Sequence, residues 1–277
     1  MRGPATATTQ RAARARAARP ADSGTKGDVR TLSDRTVEVR GRGLHVVEGG
    51  AGAPAVVLEA GPGRDSGLWR EVQERVARLT ASYSYDRAGH GSSDPAGPWS
   101  FEAWVADLEG WVAELRVPPP YVLAGHSFGA HIIRAFAAAH PGEVTGIVLV
   151  DARHERWREL LPDAFHARLR ALSPYDTEQA LQADEVLRGL PGPERVPVTV
   201  ITHGRADWIP EEFGFGVGDR NRCEQAWQEM QCDLAAQFPG SVVHVAADSG
   251  HLIPAEQPDL VAGEILALVR RSPAAPR

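Results

Sequence analysis

Only two cysteines, Cys223 and Cys232, occur in 277 residues, so no disulfide framework holds this chain together. They lie nine apart in a stretch that reads as helical, where a rise of ~1.5 Å per residue separates them by ~13 Å. That distance excludes a bond between them, and with neither metal spacing nor a C-x-x-C pair they point to a reducing compartment, the cytoplasm. Lysine is almost missing: Lys26 stands against many arginines, a bias from which no function follows. Basic residues do not gather on any folded stretch and the formal net charge is −6, which argues against a nucleic-acid partner. Long hydrophobic runs are lacking too. The apolar stretches, such as Ile147 to Val150, span a handful of residues where a membrane needs ~20.

What remains suits one large folded domain. Residues are 43% hydrophobic and 24% charged, enough to bury a core and too apolar for disorder. The 28 glycines and 21 prolines require many turns without reaching the roughly 25–30% of low-complexity chains. The first thirty residues carry arginines among alanines and have no apolar stretch of signal-peptide length, so residues 1–30 are expected to form a disordered extension outside the fold.

From Thr36 onward short β-branched runs alternate with helix-length amphipathic stretches, the pattern of a sheet with helices on its faces. Strands are expected at Thr36–Arg40, Leu44–Val47, Ala55–Leu58, Ser82–Tyr85, Tyr121–Ala124, Ile147–Val150, Val196–Ile201 and Val242–Val245. Runs such as GIVLVDA and VPVTVIT are apolar without alternation, as in strands covered on both faces. Helices are expected at Trp69–Leu79, Phe101–Leu115, Phe128–Ala139, Cys223–Phe238 and Leu260–Arg270. Between about residues 153 and 195 short helical pieces are broken by Pro162, Pro174 and Pro191, the pattern of a small inserted cap.

Tyr121 to Ala130 reads YVLAGHSFGA, a strand running into G-x-S-x-G and then an Ala-rich helix. Ser127 is thereby set on a sharp strand-to-helix turn, with small residues two positions either side that let neighbouring backbone pass. At a helix N-terminus the free N–H groups favour negative charge, which is what an attacked carbonyl develops. A serine N-cap between turn glycines would give the same pentapeptide. The strand before it and the helix after it favour a nucleophile.

Other stretches fall in order around this one: EAGPG (Glu59 to Gly63), YDRAGHGSS (Tyr85 to Ser93), LVDA (Leu149 to Ala152), GRAD (Gly204 to Asp207) and SGHLIPAEQP (Ser249 to Pro258). With GHSFG this set resembles the α/β-hydrolase superfamily, and within it the small-capped serine esterases, from about Thr36 to Arg270. The resemblance implies an α/β fold: a mostly parallel eight-stranded sheet, its second strand antiparallel, helices on both faces and a small helical cap over the strand C-termini. It also implies a serine hydrolase acting on an ester, lactone or thioester of a small, partly apolar molecule through an acyl-enzyme. No cofactor or metal is implied, and no membrane partner. The oligomeric state is open.

Ser127 is the expected nucleophile and His251, in a loop after the last strand, the expected base. Two carboxylates compete to orient His251. Asp207 follows the penultimate strand, where the family usually keeps its acid, and is favoured. Asp151, at the end of the strand before, is the alternative. The oxyanion would be held by the backbone N–H of Phe128 and of Gly61, the latter placed by aligning the Pro-Gly pair that follows it. Here Glu59 and Ala60 replace the family's usual His-Gly. His126 is expected to line the pocket or pack beneath the cap, and Asp86 and Arg87 to anchor loops. Asp151, His154 and Glu155 lie close in sequence but are too few for a metal site. Trp157, Leu160, Leu161, Phe165, Leu169 and Tyr175 give the cap an apolar face. A non-catalytic receptor that keeps the triad, an acyltransferase and a cofactor-free perhydrolase are the other readings of the same residues.

Overall fold

The computed structural model describes residues 32–172, 178–190 and 196–272. The expected extension at residues 1–30, and Pro174, Tyr175 and Pro191 of the cap, lie outside the described residues. Eight strands form one sheet: β1 (Ser33–Val39), β2 (Arg42–Gly49), β3 (Ala55–Glu59), β4 (Ser82–Tyr85), β5 (Tyr121–His126), β6 (Val144–Val150), β7 (Val198–His203) and β8 (Val242–Ala246). Their spatial order is β1-β2-β4-β3-β5-β6-β7-β8. β2 runs antiparallel to both β1 and β4, and every later pairing is parallel.

β3, β5 and β7 are buried at every residue, which explains why their sequences are apolar runs without polar alternation. Alternate side chains enter different cores. Val57, Leu123, Ile147 and Leu149 face one cluster with Trp104, Leu108 and Trp111 of α2 (Phe101–Glu114) and Ile132, Ile133 and Phe136 of α3 (Gly129–Ala139). On the other side Val56, Leu58, Val122 and Val148 meet Val72 and Val76 at α1 (Arg70–Val76) and Val261 and Ile265 of the C-terminal helix Pro258–Arg271. α2 starts where Ser100 accepts a hydrogen bond from the Ala103 amide, an N-cap that fixes its first turn.

Between β6 and β7 the chain folds into α4 (Trp157–Leu160), α5 (Asp163–Leu172) and α6 (Glu178–Gly189). α7 (Val217–Ala236) follows β7 and starts six residues earlier than its apolar pattern suggested. Its first residues are polar or small, and periodicity is a weak guide there. α8 (Ile253–Glu256) and α9 (Pro258–Arg271) complete the chain. A third cluster joins Trp157, Leu161 and Phe165 to Ile209 and Phe213 of the β7–α7 loop and to Trp227 and Met230 of α7. The covering layer over the strand ends is therefore built from two insertions, and the sequence had suggested only the first.

The turn from β5 into α3 is tightly packed. A Cβ on Gly125 would lie 2.8 Å from Ala130 backbone, and one on Gly129 would lie 2.5 Å and 2.7 Å from the carbonyl oxygens of Glu59 and Ala60. Neither position can take a side chain without moving main chain. Gly129→Ala should destabilise the protein by about 1–3 kcal/mol, as overpacking does elsewhere. A fall in the urea midpoint checks this, and an unchanged midpoint would contradict it.

Candidate active site

Ser127 sits between β5 and α3 with φ +54°, the strained left-handed geometry that pushes its side chain out of the turn. Its amide donates to Val150 O at 3.0 Å, and the Arg153 amide donates to Ser127 O at 3.0 Å, so the end of β6 and the segment just after it hold the turn. Ser127 and His251 line one cavity of about 240 Å³. Its walls are mostly rings: Trp99, Phe128, Trp157, Phe165, Trp208 and Trp227. Among the described residues lining it, the charged Arg153 is neutralised by a two-point ion pair with Asp184, at 3.1 Å and 2.7 Å. Its guanidinium stacks 3.9 Å from the Trp157 ring centre.

The carboxylate that meets His251 is Asp151, not Asp207. His251 Nδ1 donates to Asp151 Oδ2 at 2.6 Å. Asp207 is held on the surface by Arg205, Nε to Oδ2 at 3.1 Å, with its side chain 56% exposed. It rests against Gly250, beside the chain that carries His251, without reaching the ring. The reason is positional. Asp207 lies four residues beyond the end of β7, whereas Asp151 directly follows β6, with its amide bonded to Ile201 O at 2.7 Å. A left-handed φ of +42°, which aspartate tolerates better than most residues, turns its side chain toward the sheet edge.

Asp151 is fully buried. It accepts hydrogen bonds from His251, from His203 Nδ1 at 2.8 Å and 2.9 Å, and from Trp227 Nε1 at 2.9 Å. Burial by itself would raise its pKa. The hydrogen bonds from His203 and His251 outweigh that and hold the carboxyl well below the usual range. His203, Glu224 and Trp227 went unnoticed in the sequence. The available signal was a histidine closing an otherwise apolar strand at the edge where Ser127 and Asp151 also emerge.

His126 does not line the cavity. It is buried, and its Nε2 donates to His251 O at 2.8 Å, which ties the His251 loop to β5. Burial, with His251 nearby, pushes its pKa down to about 3, so it is neutral there.

On the other side of Ser127, a Cβ added to Gly61 would fall 3.0 Å from Ser127 Cβ, so the β3 loop passes against the turn. Arg87 fixes that loop. It pairs with the buried Glu59 carboxylate and donates to Ala60 O and, at 2.6 Å, to Gly61 O. The departure from His-Gly is thus one half of a buried ion pair whose other half is the arginine of YDRAGHGSS. Asp86 accepts from the Ser66 and Ser92 amides, both at 2.8 Å. Asp151, His154 and Glu155 diverge: His154 turns to Asp233 at 2.9 Å and Glu155 to Arg134 at 2.9 Å.

Comparison with known proteins places this architecture. A model described as "Alpha/beta hydrolase family" matches residues 56–264. The chain belongs to the alpha/beta hydrolase family. Among its curated relatives, the Bacillus subtilis protein YqjL is 24% identical over 235 residues, 82% of this chain and 88% of that one. Lipase LipV of Mycobacterium tuberculosis is 33% identical over 109 residues, 39% of this chain and 41% of the lipase. Solved alpha/beta hydrolase structures share the fold. A thermophilic esterase from Thermogutta terrifontis superposes with TM-score 0.57 at 22% identity, covering 87% of this chain and 98% of the esterase. Carboxylesterase CesB of Bacillus subtilis gives 0.59 at 18%, covering 88% and 93%. Among the described residues no helix is long and apolar enough to cross a membrane.

The Arg87–Glu59 pair gives this member of the family a testable dependence. Arg87→Ala leaves a buried carboxylate without its ion-pair partner and removes a donor from each of two loop carbonyls, and should cost about 3–5 kcal/mol. Chemical denaturation measures this; a loss of less than about 1 kcal/mol, the scale of an exposed pair, would contradict it.

Proposed function

We propose that this alpha/beta hydrolase is a serine esterase cleaving an ester, lactone or thioester of a small, partly apolar molecule through an acyl-enzyme. Ser127 Oγ attacks the acyl carbon while His251 Nε2 takes its proton. Asp151 orients His251 and stabilises the imidazolium that forms. The backbone N–H groups of Phe128 and Gly61 hold the tetrahedral oxyanion. The leaving alcohol departs with the proton from His251; His251 then takes a proton from water as the water attacks the acyl carbon, and gives it to Ser127 Oγ as the acid is released. The single observation that carries this reading is the 2.6 Å bond from His251 Nδ1 to a buried carboxylate, made by a histidine that shares its cavity with the strained serine. A nucleophile of high pKa needs a base whose tautomer is fixed, and this arrangement supplies one.

The cavity supports the substrate class. With ring walls and a compensated guanidinium it offers burial rather than charge, so apolar acyl groups are favoured. α4 and α5, which contribute Trp157, Phe165 and Leu169 to it, take the part of a cap in this reading.

Ser127→Ala should lose at least about 10³-fold in turnover of 4-nitrophenyl butyrate, together with labelling by a fluorophosphonate, while remaining folded by circular dichroism. Undiminished turnover would end the mechanism. The two aspartates separate the acid assignment. Asp151→Asn should lower kcat by about 10²–10⁴-fold, and Asp207→Asn, which removes only an exposed ion pair, should stay near wild type. The reverse ranking in steady-state kinetics would return the acid to Asp207.

A further inference from the structure

One buried imidazole outside the proposed triad has a carboxylate at each nitrogen. His203, fully buried at the end of β7, bonds Asp151 through Nδ1 at 2.8 Å and 2.9 Å. Its Nε2 lies 3.0 Å and 3.2 Å from the two oxygens of Glu224 on α7. Carboxylates only accept, so both bonds form together only when both ring nitrogens carry protons. Glu224 is itself fixed by Trp208 Nε1 at 2.7 Å and Gln228 Nε2 at 2.8 Å. Neither His203 nor Glu224 lines the cavity.

We propose that Glu224 and His203 are a positioning pair for the triad: Glu224 keeps His203 cationic, and His203 fixes the Asp151 carboxylate and offsets part of its charge on His251. The role rests on the reading of Asp151 and His251 as acid and base. Charges then alternate along one line, Glu224 negative, His203 positive, Asp151 negative, His251 gaining a proton only as Ser127 reacts. The cation beside Asp151 weakens the hold of that carboxylate on a protonated His251, which extends base function to lower pH. Burial opposes charge on His203, but the bonds to Asp151 and Glu224 push its pKa up to about 9, so the cation persists through neutral pH.

Other ionisable groups around this line have partners of their own. His126, which holds the His251 carbonyl from β5, is neutral with a pKa near 3. Arg153 is paired with Asp184 on the cavity side, and Arg205 with Glu256 at 2.8 Å on the solvent side of Gly250.

The pH profile of kcat/KM for 4-nitrophenyl butyrate tests the role, measured on wild type, Glu224→Gln, Glu224→Asp and Asp151→Asn. Glu224→Gln keeps the shape and lets His203 lose a proton. Its kcat should fall about tenfold with KM unchanged, the scale set by outer partners in other sites. Its acid limb should move up by about one pH unit, and Glu224→Asp, which keeps the charge, should restore the wild-type limb. A uniform loss with an unmoved limb would overturn the proposal and leave a structural contact. Nitrogen-15 spectra of histidine-labelled wild type need no variant: both His203 nitrogens should be protonated at pH 8, and a neutral ring would overturn the proposal. If Asp151→Asn turns over like wild type, the acid assignment itself fails. If it fails to turn over while Glu224→Gln matches wild type in rate and limb, only the positioning role is lost.

Discussion

A carboxylate with no exposed surface has to be solvated by the protein, and Asp151 is where this molecule meets that demand. Three side chains from three places in the chain converge on it: His203 from the end of β7, Trp227 from α7 and His251 from the loop after β8. Each donor settles something else. The bond to His251 sets one tautomer and orientation for that ring, the bond to His203 binds the sheet edge to α7 through Glu224, and the indole of Trp227 becomes a wall of the cavity. Satisfying one buried charge thus assembles one side of the site.

The opposite side answers a similar constraint with opposite sign. Arg87 is buried, and its two Nη groups donate to Glu59, Ala60 and Gly61. The Ala60 and Gly61 carbonyls of the loop that passes Ser127 are held in this way. Loops position poorly unless something rigid supports them, and here the support is a buried ion pair reaching from one strand end to the next. Arg153 repeats the theme in the cavity wall, where Asp184 cancels its charge and aromatic rings cover its faces.

The alpha/beta hydrolase fold hosts many reactions, and the solved structures that share it here include an enol-lactonase, an epoxide hydrolase and a haloalkane dehalogenase. Fold alone therefore leaves the reaction open. The serine at the strained turn and the histidine that shares its cavity support the proposed ester chemistry, and the rings around them support the proposed apolar substrates.

All eight strands and the long helices were readable in the chain: burial on both faces of the central parallel strands writes itself as apolar runs, the exposed edge strands β1 and β8 show β-branched residues, and helix packing shows amphipathic periods. The turn at Ser127 was readable for the same reason: it depends on five consecutive residues. What the sequence left undecided, or read wrongly, depends on distant segments. Asp207 had the expected order along the chain, yet Asp151 meets His251 across 100 residues, because β6 ends beside β5 while the β7 loop turns to the surface. His203 offered only a faint signal, a histidine closing an apolar strand, and Glu224 none, since a helical glutamate is ordinary until packing sets it against that ring. Local pattern determined the elements and the turn at Ser127. Which carboxylate lies against His251, and which imidazole lies behind that carboxylate, was decided by the parallel stacking of strand ends, where neighbours in space have no fixed spacing along the chain.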